Sequence, residues 1–102
     1  MKKEPESYFA ENSILGLLPS SFIKDGVLNI SNLGLFGTIE TNCEYVICND
    51  NKLNDIIADD AIFVNCSNNK IDKLDLPKVR ILVCTGNNIL KYNCPELKEI
   101  TK

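Results

Sequence analysis

The sequence predicts a mostly β solenoid, a stack of eighteen-residue coils bearing a short parallel sheet, on three observations. The hexapeptide Cys66-Ser67-Asn68-Asn69-Lys70-Ile71 has counterparts eighteen residues before and after it, Cys48-Asn49-Asp50-Asn51-Lys52-Leu53 and Cys84-Thr85-Gly86-Asn87-Asn88-Ile89. Apolar residues recur at fixed places in each unit, and two of these places lie two residues apart, as a short strand with one inward face requires. A polar Asn recurs between the apolar places, where the chain must turn out of that strand.

At 102 residues the chain is one domain of ordinary globular composition, 44% apolar and 25% charged. Its net charge of −3, with no basic stripe, gives no reason to expect nucleic acid or an anionic membrane as partner. The start, Met1-Lys2-Lys3-Glu4-Pro5-Glu6, does not read as a secretory signal, and the apolar run from Ile14 to Leu18 is too short to span a bilayer. A soluble intracellular, cytoplasmic protein is expected. Five cysteines, three of them in phase with the repeat, suit buried reduced thiols better than a disulfide framework.

Residues 1–24 do not repeat, and they carry Tyr8, Phe9, Ile14, Leu15, Leu17, Leu18, Phe22 and Ile23 among polar spacers. They are expected to form an N-terminal capping segment, helical or irregular, with Pro19 ending a second short helix. A cap is needed because an end coil otherwise exposes its core and an unpaired strand edge.

Residues 25–102 form the solenoid proper, about four repeats plus a terminal strand. Numbering each unit from one, position four is Leu28, Val46, Val64, Leu82 and Ile100, and position six is Ile30, Cys48, Cys66 and Cys84. Position eleven is Leu35, Leu53, Ile71 and Ile89, and position one, from the second unit on, is Cys43, Ala61, Val79 and Leu97. Positions fourteen and sixteen hold Ile56, Leu74 and Tyr92, then Ala58, Leu76 and Cys94, with Thr38 and Glu40 in the first unit. Position nine is Asn51, Asn69 and Asn87, with Leu33 first. An amide there can satisfy backbone groups that no ladder bond reaches, so Asn69→Ala should destabilise the fold markedly and Asn68→Ala should do little.

The spacing Val79-x-x-Leu82-x-Cys84-x-x-Asn87-x-Ile89, with its equivalents from Cys43 and Ala61, resembles the leucine-rich repeat. The resemblance covers about residues 25–102 and implies right-handed coils. Units of eighteen are shorter than the family's usual ~20 to 29 residues, which favours extended or 3₁₀ segments over helices on the convex side. Short units of this kind resemble those of large DNA viruses and some AT-rich microbes, which implies a host-facing or adaptor role. A left-handed β-helix of three hexapeptides per coil is the alternative, but its phases would bury Lys52, Lys70 and Asn88, or Asp59, Asp60 or Asp72, at high cost.

The chain has no His, no Gly-rich phosphate loop and no Gly-x-Ser-x-Gly elbow, so no enzyme is expected and no cofactor. Cys48, Cys66 and Cys84 tempt toward a metal, but no Cys-x-x-Cys pair accompanies them, and a narrow core takes cysteine as a small apolar residue. Asp55, Asp59 and Asp60 lack the spacing of a calcium loop and read as solvated. The functional expectation follows from the resemblance: such sheets commonly bind protein on their outward face. That face would carry Tyr45, Phe63 and Ile81 at position three, Ile47 and Val83 at position five, and Glu44, Arg80 and Lys98 at position two. These are the candidate partner-binding residues of a non-enzymatic interaction module. The alternative is a self-assembling homodimer that uses this apolar face or the terminal edge.

Overall fold

The computed structural model describes residues 8–11 and 23–102, and among these there are strands and turns but no helix. The chain is a β-solenoid of about four stacked coils. Each coil contributes a three-residue strand to one parallel sheet: β3 (Val27–Asn29), β5 (Tyr45–Ile47), β7 (Phe63–Asn65), β9 (Ile81–Val83) and β11 (Glu99–Thr101). Every pairing in this sheet joins residues eighteen apart, Tyr45 to Phe63 and Phe63 to Ile81 among them. The repeat period is thus the length of one turn of the coil.

The return side of each coil is also extended, as β4 (Phe36–Thr41), β6 (Lys52–Ile57), β8 (Lys73–Asp75) and β10 (Lys91–Asn93). Coils this short have no room for a helix between their turns, and extended chain covers the same span with fewer residues. β4 pairs with β6 and β8 with β10, while no ladder joins β6 to β8.

Both faces send their apolar columns inward. Leu28, Val46, Val64 and Leu82 stack behind the long sheet with Ile30, Cys48, Cys66 and Cys84 beside them, and Leu35, Leu53, Ile71, Ile56 and Leu74 close the core from the return side. Burying such side chains contributes about 1.5 to 3 kcal/mol each relative to leaving them in water. The residues that a hexapeptide phasing would bury stay outside: Lys52, Lys70, Asn88, Asp59 and Asp72 are exposed, and Asp60 is half-buried.

The first coil departs from the expected register. Ile39 and Thr41 are buried next to the places where the eighteen-residue spacing puts Thr38 and Glu40, the first unit's departure from the apolar columns, and Ile39 pairs with Ile56, seventeen residues on. The chain has gained two residues by the start of β4, where Phe36 pairs with Lys52, sixteen on, and a β-bulge after Gly37, whose extra residue is Asn54 of β6, takes one of them back; Gly37 itself has a φ of 87°, which an L side chain resists. The other is given back by Tyr45, so the long sheet never loses its register.

The expected N-terminal cap is a strand where it is described. β1 (Tyr8–Glu11) runs antiparallel to β4, and β2 (Ile23–Lys24) runs antiparallel to β3. A helix laid on these edges would leave their N–H and C=O groups unpaired, whereas a strand takes them up. Asp25 and Gly26 link β2 to β3 with φ of 53° and 78°, the left-handed pair that a two-residue hairpin needs. The short helices expected nearer Pro19 lie outside the described residues.

Candidate functional site

Alternation along each strand of the long sheet fixes the outward face. With Val46, Val64 and Leu82 inward, the residues on either side of them point out. Tyr45 and Ile81 keep 43% and 40% of their surface in water, and Phe63, Ile47 and Val83 between them are half-buried by one another. The Tyr45 and Phe63 rings lie 6.3 Å apart between centroids, tilted by 35°, an ordinary aromatic contact across neighbouring strands.

Glu44, Ile62, Arg80 and Lys98 form a second file along one margin of this face. Their backbones are stacked as regularly as the strands: the Ile62 N–H donates to the Glu44 carbonyl at 2.8 Å, Arg80 to Ile62 at 2.9 Å and Lys98 to Arg80 at 2.8 Å. Glu44, Arg80 and Lys98 are exposed and Ile62 is half-buried. All eight residues expected at a partner surface therefore share one side of the molecule.

The asparagine and cysteine columns lie elsewhere and do different work. The Asn69 Nδ2 donates to the carbonyls of Cys66 and Ser67 in its own coil and of Cys48 in the coil before, while its Oδ1 accepts the Leu53 N–H at 3.0 Å. Asn51 does the same toward Ile30 and Leu35 with a further bond from the Leu33 N–H, and Asn87 toward Cys66 and Ile71. Each amide ties its own coil to the preceding one.

The residue before position nine sits in the left-handed region in every unit: Asn32 at 55° before Leu33, and Asp50 at 60°, Asn68 at 58° and Gly86 at 75° before the three asparagines. Asn68 is therefore not the neutral outward position the sequence suggests. Its Nδ2 donates to Asp50 Oδ1 at 2.8 Å, and its side chain lies where a Cβ on Gly86 would stand. In the same turns Asn29 and Asn65 accept from the N–H and hydroxyl of Ser31 and Ser67, which gives the two Asn-x-Ser sequences a structural reason.

No disulfide joins the five cysteines, and Cys43, Cys48, Cys66 and Cys84 are buried. Burial, and then the neighbouring thiol of Cys84, push Cys66 up to about 12, and burial with Cys66 beside it raises Cys48 well above the usual thiol value. Such thiols stay protonated and make poor nucleophiles and poor metal ligands. Among the described residues no group of three or more cysteine or carboxylate side chains is placed to hold a metal ion.

Two clefts were not foreseen from the sequence. One borders the charged margin of the outward face, lined by Asp25, Asn42, Glu44, Tyr45, Asp60, Ile62 and Lys78, with Lys78 Nζ 3.4 Å from Asp60 Oδ1. The other opens where β6 and β8 part, between Asp55, Ile57, Asp59 and Lys73, Asp75, Lys91. Neither could be read from the period, because each is bounded by polar side chains of different coils that only the stacking brings together. No family model, curated protein or solved structure matches the chain.

Proposed function

We propose that this chain is a non-enzymatic protein-interaction module that takes a protein partner on the outward face of its long sheet. The observation that carries the reading is the exposed file of Tyr45, Phe63 and Ile81 with Ile47 and Val83 beside it. A sheet face turned to water is ordinarily polar, and an apolar centre rimmed by charge is the usual make-up of a protein-binding surface. Aromatic rings at the centre would supply most of the affinity, and Glu44, Arg80 and Lys98 would choose among partners.

We also place the chain with short-unit leucine-rich repeats in a reducing, intracellular setting. Support comes from the asparagine column that reaches between coils and from five cysteines that no disulfide joins. The lack of histidine and the raised thiols favour a binding role over a catalytic one.

Replacing Tyr45 and Phe63 together by Ser tests the face. Partner capture should fall at least about tenfold, since two central aromatics each carry on the order of 1 to 2 kcal/mol. The circular-dichroism spectrum should be unchanged, because neither side chain is in the core. Full capture by a folded Y45S/F63S variant would refute the site.

A further inference from the structure

We infer that the partner on this face is a second copy of the chain, bound across a two-fold axis that runs along β7. The inference rests on the outward face being the binding surface, and it adds the identity and the register of what binds there.

The charges along the margin of the face are antisymmetric about Ile62. Glu44 stands one coil before it and Arg80 one coil after, so each is about 4.8 Å away along the stack. One coil further out the file holds Gly26 at one end, with the exposed Asp25 next to it in the hairpin turn, and the exposed Lys98 at the other. Among the described residues neither Glu44 nor Arg80 has an ion-pair partner within the chain, the one pair being Lys78 with Asp60.

A two-fold axis along β7 keeps the strand direction and reverses the coil axis. It therefore sets the second coil of one copy against the fourth of the other and lays the two margins on each other. Glu44 then meets Arg80 of the second copy, a pair that occurs twice, and Lys98 comes opposite Gly26, one residue from Asp25. The apolar file is matched by the same operation: Phe63 meets Phe63, Tyr45 meets Ile81, and Ile47 meets Val83. At the rim Glu99 comes opposite Val27 and within reach of Lys24, which lies on the next strand of the same face. A face-to-face axis along the coil stack instead sets Glu44 and Arg80 against the Asn- and Ser-bearing margin and leaves four charges without partners. The first arrangement sets opposite charges together and apolar residues on apolar ones, as an isologous interface requires.

The face spans five parallel strands of three residues, at the small end of specific interfaces, so the dimer should form and dissociate with concentration. Sedimentation velocity on the 102-residue chain, from about 1 μM to about 1 mM at low salt, covers the affinities expected. Wild type should dimerise. E44R and R80E should each weaken the dimer at least about tenfold, because each sets like charges opposite one another twice. An equimolar mixture of E44R with R80E should form a heterodimer of wild-type strength, and the double variant E44R/R80E should recover the homodimer. A wild type that stays monomeric throughout, or a dimer indifferent to these reversals, overturns the inference. If Y45S/F63S still loses capture of a different protein while wild type is monomeric, the face reading stands and the second copy is excluded. If wild type dimerises and Y45S/F63S does so equally, both are excluded.

Discussion

The first coil and the three that follow it use one plan with different strictness. In the later coils Asn51, Asn69 and Asn87 each reach back to the coil before, and the strands of the long sheet repeat every eighteen residues. The first coil has Leu33 in place of the asparagine and a bulge at Gly37, yet its strand β3 pairs in the same register as the rest. The difference teaches that the asparagine belongs to a junction and not to a coil. Among the described residues no coil precedes the first unit, and it is itself gripped by Asn51, whose Oδ1 accepts the N–H of both Leu33 and Leu35. Its return strand, paired on one side to antiparallel β1, can accommodate an extra residue because no asparagine pins it from behind.

The largest effect that breaks this comparison should come from Asn69→Ala. It leaves the carbonyls of Cys48 and Cys66 and the N–H of Leu53 without their amide at a buried site. At roughly 1 to 3 kcal/mol for each buried group left unpaired, the melting temperature should fall by about 10 °C or more. Leu33→Asn, by contrast, should move it by less than about 2 °C, since a half-exposed position with nothing behind it gains no junction. Thermal unfolding of the pair checks this, and a stabilisation of several degrees by Leu33→Asn would show that the first coil does have something to grip.

Next in size is the register of the first return strand. Ile39 is fully buried, so Ile39→Ala should cost about 2 to 4 kcal/mol, whereas Thr38→Ala should cost less than about 1. Denaturant unfolding of the two variants reads the shift directly. Equal losses would mean that the shift does not set which side chain enters the core.

The smallest effect sharpens the turn. Asn68→Ala should cost about 1 kcal/mol through its left-handed backbone and lost bond to Asp50, and Asn68→Gly should recover the backbone part. Gly86→Ala should cost more than Asn68→Ala, because the added methyl meets the Asn68 side chain as well as the unfavourable φ. In an Asn68→Gly background the Gly86→Ala cost should shrink to the φ contribution and the close approach of the backbone at residue 68. A double-mutant cycle on melting temperature that shows no coupling would remove that contact from the account.

Much of this architecture was legible because it is periodic. The inward columns at Val46, Val64 and Leu82 and at Cys48, Cys66 and Cys84 could be placed before any coordinates, since period two within a strand and period eighteen between strands leave one consistent inside. The outward file of Tyr45, Phe63 and Ile81 followed from the same rule. Asp25-Gly26 carried a readable hairpin signal that the emphasis on the period obscured, and with it the strand at Ile23–Lys24. The irregular first return strand was not legible, because the residues gained between Asn29 and Phe36 are given back by Tyr45 and leave the spacing of the long-sheet strands intact.

What the sequence determined by itself was the coil length, its inside and outside, and the chemistry of each column, because these follow from local geometry repeated without change. The tertiary structure alone decided the rest. Backbone hydrogen bonds between coils set which residues stand side by side, so only in three dimensions do Asn69 and Leu53 become partners. The same stacking turns Glu44, Ile62, Arg80 and Lys98, scattered over fifty-five residues of chain, into one ordered margin of charge.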